Sequence, residues 1–181
     1  MKRKKILNVG CGEDLYGTHF IDLYPINKKV KGIDVNKDKF PFPDNYFDEI
    51  FSGFLFEHLV NPINFLKESY RVLKKGGRLI ILTDNAGFFG LFTDTHHGGY
   101  ERWRKKEGFK EDRHYALFTP NHLKNWLEYA GFKNIEIEYG VYSLEKKRIR
   151  KCLIPFVKII SKTLSFFCKR LSMHIMVIGV K

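Results

Sequence analysis

The residues best suited to chemistry in this 181-residue chain fall into three groups. The first is Gly10-Cys11-Gly12, which ends an apolar run of Ile6, Leu7 and Val9 that has Asn8 inside it. Two glycines one residue apart let the backbone turn sharply and let a ligand approach where a Cβ would stand. The stretch from Lys5 to Glu13 therefore reads as a buried strand feeding a ligand loop, against the plainer reading of a strand and an ordinary glycine turn. The second group is a pair of aspartates, Asp22 and Asp34, each near the close of a short apolar run. A carboxylate at a strand end can accept two hydroxyl hydrogen bonds at once, and turn capping is the bland alternative. The third is His58, His96, His97 and His114, candidate general bases because imidazole titrates near neutrality. Each of these also reads as a loop histidine bonded to backbone carbonyls. Asp94, His96, His97 and His114 lack the spacing and the cysteine ligands of structural zinc, so no metal is expected.

These groups need elements to place them. Phe20 to Leu23, Val30 to Val35 and Phe47 to Phe54 have strand length, the last with Asp48 and Glu49 as solvent-side or loop-side interruptions. The interval between Gly12 and Phe20 is too short for a crossover helix, so the first crossover is expected to be truncated. Asn61-Pro62 reads as N-cap and first helical residue. Ile63, Leu66, Tyr70 and Leu73 then form one stripe, with Gly76-Gly77 as the stop and Arg78 to Thr83 as the following parallel strand. Thr119-Pro120 opens a second helix with Leu123, Leu127 and Ala130 inward and Gly131 at its end. Asn134 to Tyr142 and Met173 to Val180 complete the strands of a single α/β domain over residues 1–181.

Residues 84–118 carry no periodicity, and a long patternless stretch reads as an acceptor-binding lid. Only Met1 to Lys4 precede the first strand to share that work. Tyr100, Trp103 and Tyr115 could wall a pocket, with Arg102, Arg104, Arg113 and His114 meeting an anionic or hydroxylated acceptor; simple solvation of these cations is the alternative.

Residues 144–171 hold nine basic side chains and one acid, or +8 of a net charge of +12. Lys147, Lys151, Lys158, Lys162 and Lys169 form one helical stripe, and Leu153, Phe156, Ile160, Leu164 and Phe167 or Leu171 another. The segment reads as a basic amphipathic helix inserted before the last strand. Its lysines forbid a transmembrane span and permit contact with the cytoplasmic face of an anionic membrane through 147–171, or packing on the sheet with a solvated lysine face. Cys11, Cys152 and Cys168 show no metal spacing, and the short apolar run after MKRKK is no signal-peptide core, so a reduced cytoplasmic chain is expected.

LNVGCG at Leu7 to Gly12, FPFPDNYFDEI at Phe40 to Ile50, Glu57-His58-Leu59, YRVLKKGGRLII at Tyr70 to Ile81 and FTPNHLKNWLEYAGF at Phe118 to Phe132, in this order, resemble the class I S-adenosylmethionine-dependent methyltransferases, and more closely their compact branch. The resemblance implies a three-layer Rossmann-like fold whose seven-stranded, mostly parallel sheet has an antiparallel last strand. It implies S-adenosyl-L-methionine as cofactor, its methionine part held by amides of the glycine loop. It also implies contacts from Asn8, Gly10, Cys11, Gly12, Asp22, Asp34, Val35, Phe51, Ser52 and Gly53. On the compact alignment Asp22 grips the ribose and Asp34 lies by the adenine edge, whereas the general spacing of about twenty residues points to Asp34. Asn8 stands where the family frequently has an acid, leaving an amide for the cofactor's ammonium. A dinucleotide reading fails because Leu15 occupies the place of the third glycine. The tetrapeptide of aminomethylating DNA enzymes is replaced by Ser52-Gly53-Phe54. The function expected is methyl transfer to a small-molecule, sugar or lipid-linked acceptor; the alternative is an RNA binder or RNA methyltransferase using the basic helix against phosphates. The oligomeric state is left open.

Overall fold

A computed structural model describes residues 4–88, 114–140, 159, 160, 163, 168 and 172–181. The described residues form seven strands, β1 (Ile6–Val9), β2 (His19–Asp22), β3 (Val30–Gly32), β4 (Phe47–Gly53), β5 (Leu73–Asp84), β6 (Lys133–Gly140) and β7 (His174–Val180). They form one sheet in the order β3-β2-β1-β4-β5-β7-β6. Neighbours from β3 to β5 are parallel, and β7 runs antiparallel to both β5 and β6. This is the expected mixed α/β sheet with its reversed last strand.

Register explains how the layers form. Leu7 lies beside Ile50 and Ile50 beside Leu79, so period-two alternation puts Leu7, Val9, Ile50, Leu79, Ile81, Val177 and Ile175 on one face. All seven have no exposed surface. They share one core with helices α1 (Pro62–Val72) and α2 (Pro120–Tyr129). At Gly179 an added Cβ would stand 2.7 Å from a methyl of Leu127, so glycine there lets α2 reach the sheet.

The opposite face carries Asn8, Glu49 and Phe51. Glu49, expected at the solvent or loop side, is instead completely buried. Its carboxylate accepts from Lys4 Nζ, Arg78 Nε and the Tyr16 hydroxyl at 2.8, 2.6 and 2.8 Å, so the paired cations offset its desolvation. The Tyr16 ring also meets Phe51 edge-on at 5.3 Å. Residues 10–18 thus replace the missing first crossover helix with a loop strapped down by one tyrosine.

Two helix readings shift. In α1 the buried side chains are Phe65, Leu66, Ser69 and Val72, so its inner face sits beside the stripe read from Ile63, Leu66 and Tyr70. The helix stops at Val72, and Leu73 already pairs with Phe47. Gly76 has the left-handed backbone expected of a stop, φ 77°, but within β5. Asn61 is the N-cap residue without a capping side chain; Asn36 Oδ1 accepts the amides of Val60 and Asn61 instead, both at 2.9 Å. In α2, by contrast, Thr119 and His122 form a reciprocal capping box.

Candidate active site

The glycine loop lies at the carboxyl end of β1. Gly10 and Gly12 have φ of 67° and 50°, a left-handed backbone that favours glycine. The amide of Gly10 donates to the Ile21 carbonyl at 2.9 Å and that of Gly12 to Asp22 Oδ2 at 2.8 Å. These two amides, expected to reach the cofactor, are therefore committed to β2. Asn8 differs in the same way: it is buried, and its Nδ2 donates to the Asp14 carbonyl at 2.9 Å, so it pins the loop from inside. Cys11 is buried too, and burial together with the Asp22 carboxylate pushes its thiol up to about 11.

Asp22 and Asp34 separate on their partners. Asp22, at the end of β2, accepts one amide on each oxygen, from Gly12 and from Tyr24. A carboxylate offers about four acceptor positions, which leaves room for two hydroxyls. Asp34 closes a turn: Oδ1 accepts the backbone and side-chain amides of Asn36, and Lys37 Nζ lies 3.3 Å from Oδ2. Although burial acts to raise its pKa, these hydrogen bonds hold it below the usual carboxylate range. Val35 is a core residue whose carbonyl accepts from Asn64.

The exit of β4 reaches the same end of the sheet, since a Cβ on Gly10 would stand 2.8 Å from the methyls of Leu55. Ser52 is buried and its hydroxyl has no hydrogen-bond partner among the described residues. Phe51 is half-buried, and a Cβ on Gly53 would lie 3.2 Å from its ring. Phe54 is half-buried; it takes φ 54° and lies edge-on against His174. Phe56 is fully buried.

Next comes a short 3-10 helix, Phe56–His58. The chain returning from the region read as a lid docks on it, with the amide of Tyr115 donating to the Glu57 carbonyl at 2.8 Å. This brings two of the four candidate histidines together: the rings of His58 and His114 meet edge-on with centroids 4.6 Å apart. Glu57 lies beside them, 1% exposed, its Oε2 accepting from the Thr83 hydroxyl at 2.7 Å. Burial, with Asp84 nearby, pushes its pKa up to about 7 against the pull of Thr83 and His58. Asp84 Oδ1 in turn faces His174 Nε2 at 3.5 Å.

Glu57, Thr83, Asp84 and His174 were not singled out as site residues by type and spacing. The one available signal was Glu57 beside His58; the others become neighbours only through the β4, β5 and β7 register. His96, His97, Asp94, Tyr100, Arg102, Trp103, Arg104, Arg113 and most of 144–171 lie outside the described residues.

Residues 1–137 match the model of a methyltransferase domain family. An uncharacterised protein of Methanocaldococcus jannaschii is 29% identical over 114 residues, 62% of this chain and 51% of that protein, so the chain spans about half of that relative's length. Among solved structures, an S-adenosylmethionine-dependent methyltransferase from Archaeoglobus fulgidus superposes with a TM-score of 0.60 at 18% identity, covering 99% of this chain and 87% of the other. A phosphoethanolamine N-methyltransferase of Haemonchus contortus, solved with S-adenosyl-L-methionine, gives 0.58 at 18% identity, covering 100% and 49%. The glycine loop, the strand-end aspartate, the sheet order and the match over residues 1–137 agree: the chain belongs to the class I S-adenosylmethionine-dependent methyltransferase family.

Proposed function

We propose that this chain transfers a methyl group from S-adenosyl-L-methionine to a small-molecule, sugar or lipid-linked acceptor. The observation that carries this reading is the unit made by Gly12 and Asp22. Among the described residues nothing lies within 4 Å of where a Gly12 Cβ would stand, so the loop edges open space that any side chain would fill. Beside it stands a carboxylate with acceptor capacity to spare for ribose hydroxyls. Asp22 is therefore the ribose ligand in this reading, and Asp34 shapes the turn behind the adenine edge. The bound cofactor supplies an electrophilic methyl group on a sulfonium.

The chain's own work is to hold the acceptor in line and keep water out, because an in-line displacement draws most of its acceleration from positioning. Phe51, Ser52 and Gly53 flank the cofactor side, and His58 and His114 receive and orient the acceptor's polar atom. A base is needed only for a hydroxyl or ammonium acceptor. Calorimetric titration with S-adenosyl-L-methionine and S-adenosylhomocysteine, followed by radiolabelled methyl transfer over lipid, sugar, small-molecule and RNA pools, tests the reading. Binding of both ligands with label in one of the first three pools is expected. A folded sample that binds neither at millimolar concentration overturns it.

In the same reading the chain is cytoplasmic and visits an anionic membrane surface. Ile159 and Ile160, both helical, are 64% and 55% exposed, which supports an apolar contact made by this segment. No helix among the described residues is long and apolar enough to cross a membrane. RNA binding is favoured by the charge of 144–171 alone.

A further inference from the structure

We propose that Glu57, His58 and His114 bind a divalent transition-metal cation, of which zinc is the type. One ligand atom from each lies within 4.8 Å of the other two. The set is two imidazoles and one carboxylate, a donor combination suited to zinc, iron or nickel and poor for magnesium or calcium, which take oxygen ligands. Three protein ligands leave a position open, as in catalytic rather than structural zinc sites. Zinc holds its ligands at about 2.0–2.2 Å, so tetrahedral donors stand roughly 3.5 Å apart. The 4.8 Å limit on the separation of these donors is wider than that, so binding must draw the three side chains together.

Three further features suit a cation. Glu57 is 1% exposed, so its charge is costly there unless a positive group faces it, and no lysine or arginine pairs with it among the described residues. The Thr83 hydroxyl fixes Glu57 Oε2 from behind at 2.7 Å, as outer partners do for metal-ligating carboxylates. The cluster also joins two stretches of chain distant in sequence, with the Tyr115 amide bonded to the Glu57 carbonyl beside it. Ligands on both stretches let one cation fix the end of the acceptor segment, at His114, to the chain that leaves β4.

The role assigned to this cation rests on the methyl-transfer reading: its open position takes an oxygen of the acceptor, and His58 and His114 then act as ligands and not as bases. The cation site itself is tested without cofactor or acceptor. Tag-free full chain, stripped with chelator, is titrated with cobalt(II) while the visible ligand-field bands are followed, and zinc(II) is then added in competition. One equivalent of cobalt with a tetrahedral or five-coordinate spectrum, displaced by zinc, is expected. His114→Ala and His58→Ala each weaken binding at least tenfold with unchanged circular dichroism, and Thr83→Val weakens it about 10–100-fold. Glu57→Gln tests the carboxylate, while the half-buried histidines keep the test decisive if that variant does not fold. Absence of a ligand-field spectrum, or a spectrum that survives both histidine changes, overturns the proposal. Cofactor binding without cobalt binding would sink the cation site and leave methyl transfer standing.

Discussion

The amide of Gly12 and the carboxylate of Asp22 meet at 2.8 Å, so the glycine loop and the end of β2 behave as one unit. Asp22→Ala removes two hydrogen bonds that hold Gly12 and Tyr24 as well as the proposed ribose ligand. Cofactor affinity measured by calorimetry is expected to fall at least tenfold. Gly12→Ala is expected to do the same by filling the open space. Gly76→Ala is its control, because Gly76 has a similar backbone, φ 77°, and equally open surroundings, yet lies inside β5. Both alanines carry a left-handed strain of about 1 kcal/mol, and only the one at residue 12 should lose affinity.

Arg71 gathers the segment leading into β4. Its guanidinium donates to both oxygens of Glu68, to the carbonyls of Phe40 and Phe42, and to Asp44. Asp44 is largely exposed and adds little. Loss of the other four bonds in Arg71→Ala should cost about 2–4 kcal/mol in urea denaturation. Arg71→Lys should recover only part of it, since a point charge cannot span the same fork.

Cys11 should be inert to alkylation and Cys168 reactive. The first is buried with its thiol pushed up to about 11, so little thiolate exists at pH 8; the second is exposed. Mass spectrometry after iodoacetamide should find Cys168 modified many-fold faster. Prompt labelling of Cys11 in folded protein would contradict the buried loop.

His19 predicts a stability slope. Its ring packs edge-on against Phe42, Tyr46 and Phe47. Burial first, then Lys5 and Lys31, lower its pKa below the ordinary 6.5. The unfolded chain therefore binds this proton more readily than the folded one, and stability falls as pH drops below about 6.5 toward the lowered folded value. That window lies above the ordinary carboxylate values of 3.8–4.5, where the lowered Asp48 and Glu68 begin to matter. Urea midpoints for wild type and His19→Gln between pH 7 and pH 5 should converge as pH falls; parallel curves would count against it.

Ile160→Asp and a Lys151, Lys158, Lys162 triple change to Glu should both reduce pelleting with anionic vesicles at low salt. Each basic residue near such a surface contributes on the order of 1 kcal/mol, and Ile160 offers exposed apolar area. Equal pelleting of all three proteins would remove the membrane reading.

The strands were legible because their apolar runs are short and bounded by Gly, Asp and Asn, and the first missing helix was legible from spacing alone. Glu49 was misplaced because alternation marks a charged residue as outward, while its partners Lys4, Tyr16 and Arg78 come from other strands and loops. The α1 stripe was misplaced because Ser69 is small enough to bury at the helix–sheet contact. At the site, type and spacing selected His58 and His114 separately. Their meeting depends on the Tyr115 amide reaching the Glu57 carbonyl, a contact across 58 positions that no local pattern encodes.

The order of the last two strands has a consequence for how such a chain can diversify. β6 and β7 are antiparallel neighbours, with Gly140 opposite His174, so a turn of a few residues would suffice to join them. Residues 141–173 occupy that junction, and they contain most of the excess positive charge. Residues 141–171 can be exchanged, lengthened or shortened without rethreading a strand, while Ser172, buried and bonded to the Gly140 and His174 carbonyls, holds the start of β7 in place. The sheet order keeps that connection apart from the glycine loop, and in the proposed membrane reading transplanting 141–171 between such scaffolds moves the membrane contact and leaves cofactor binding where it was.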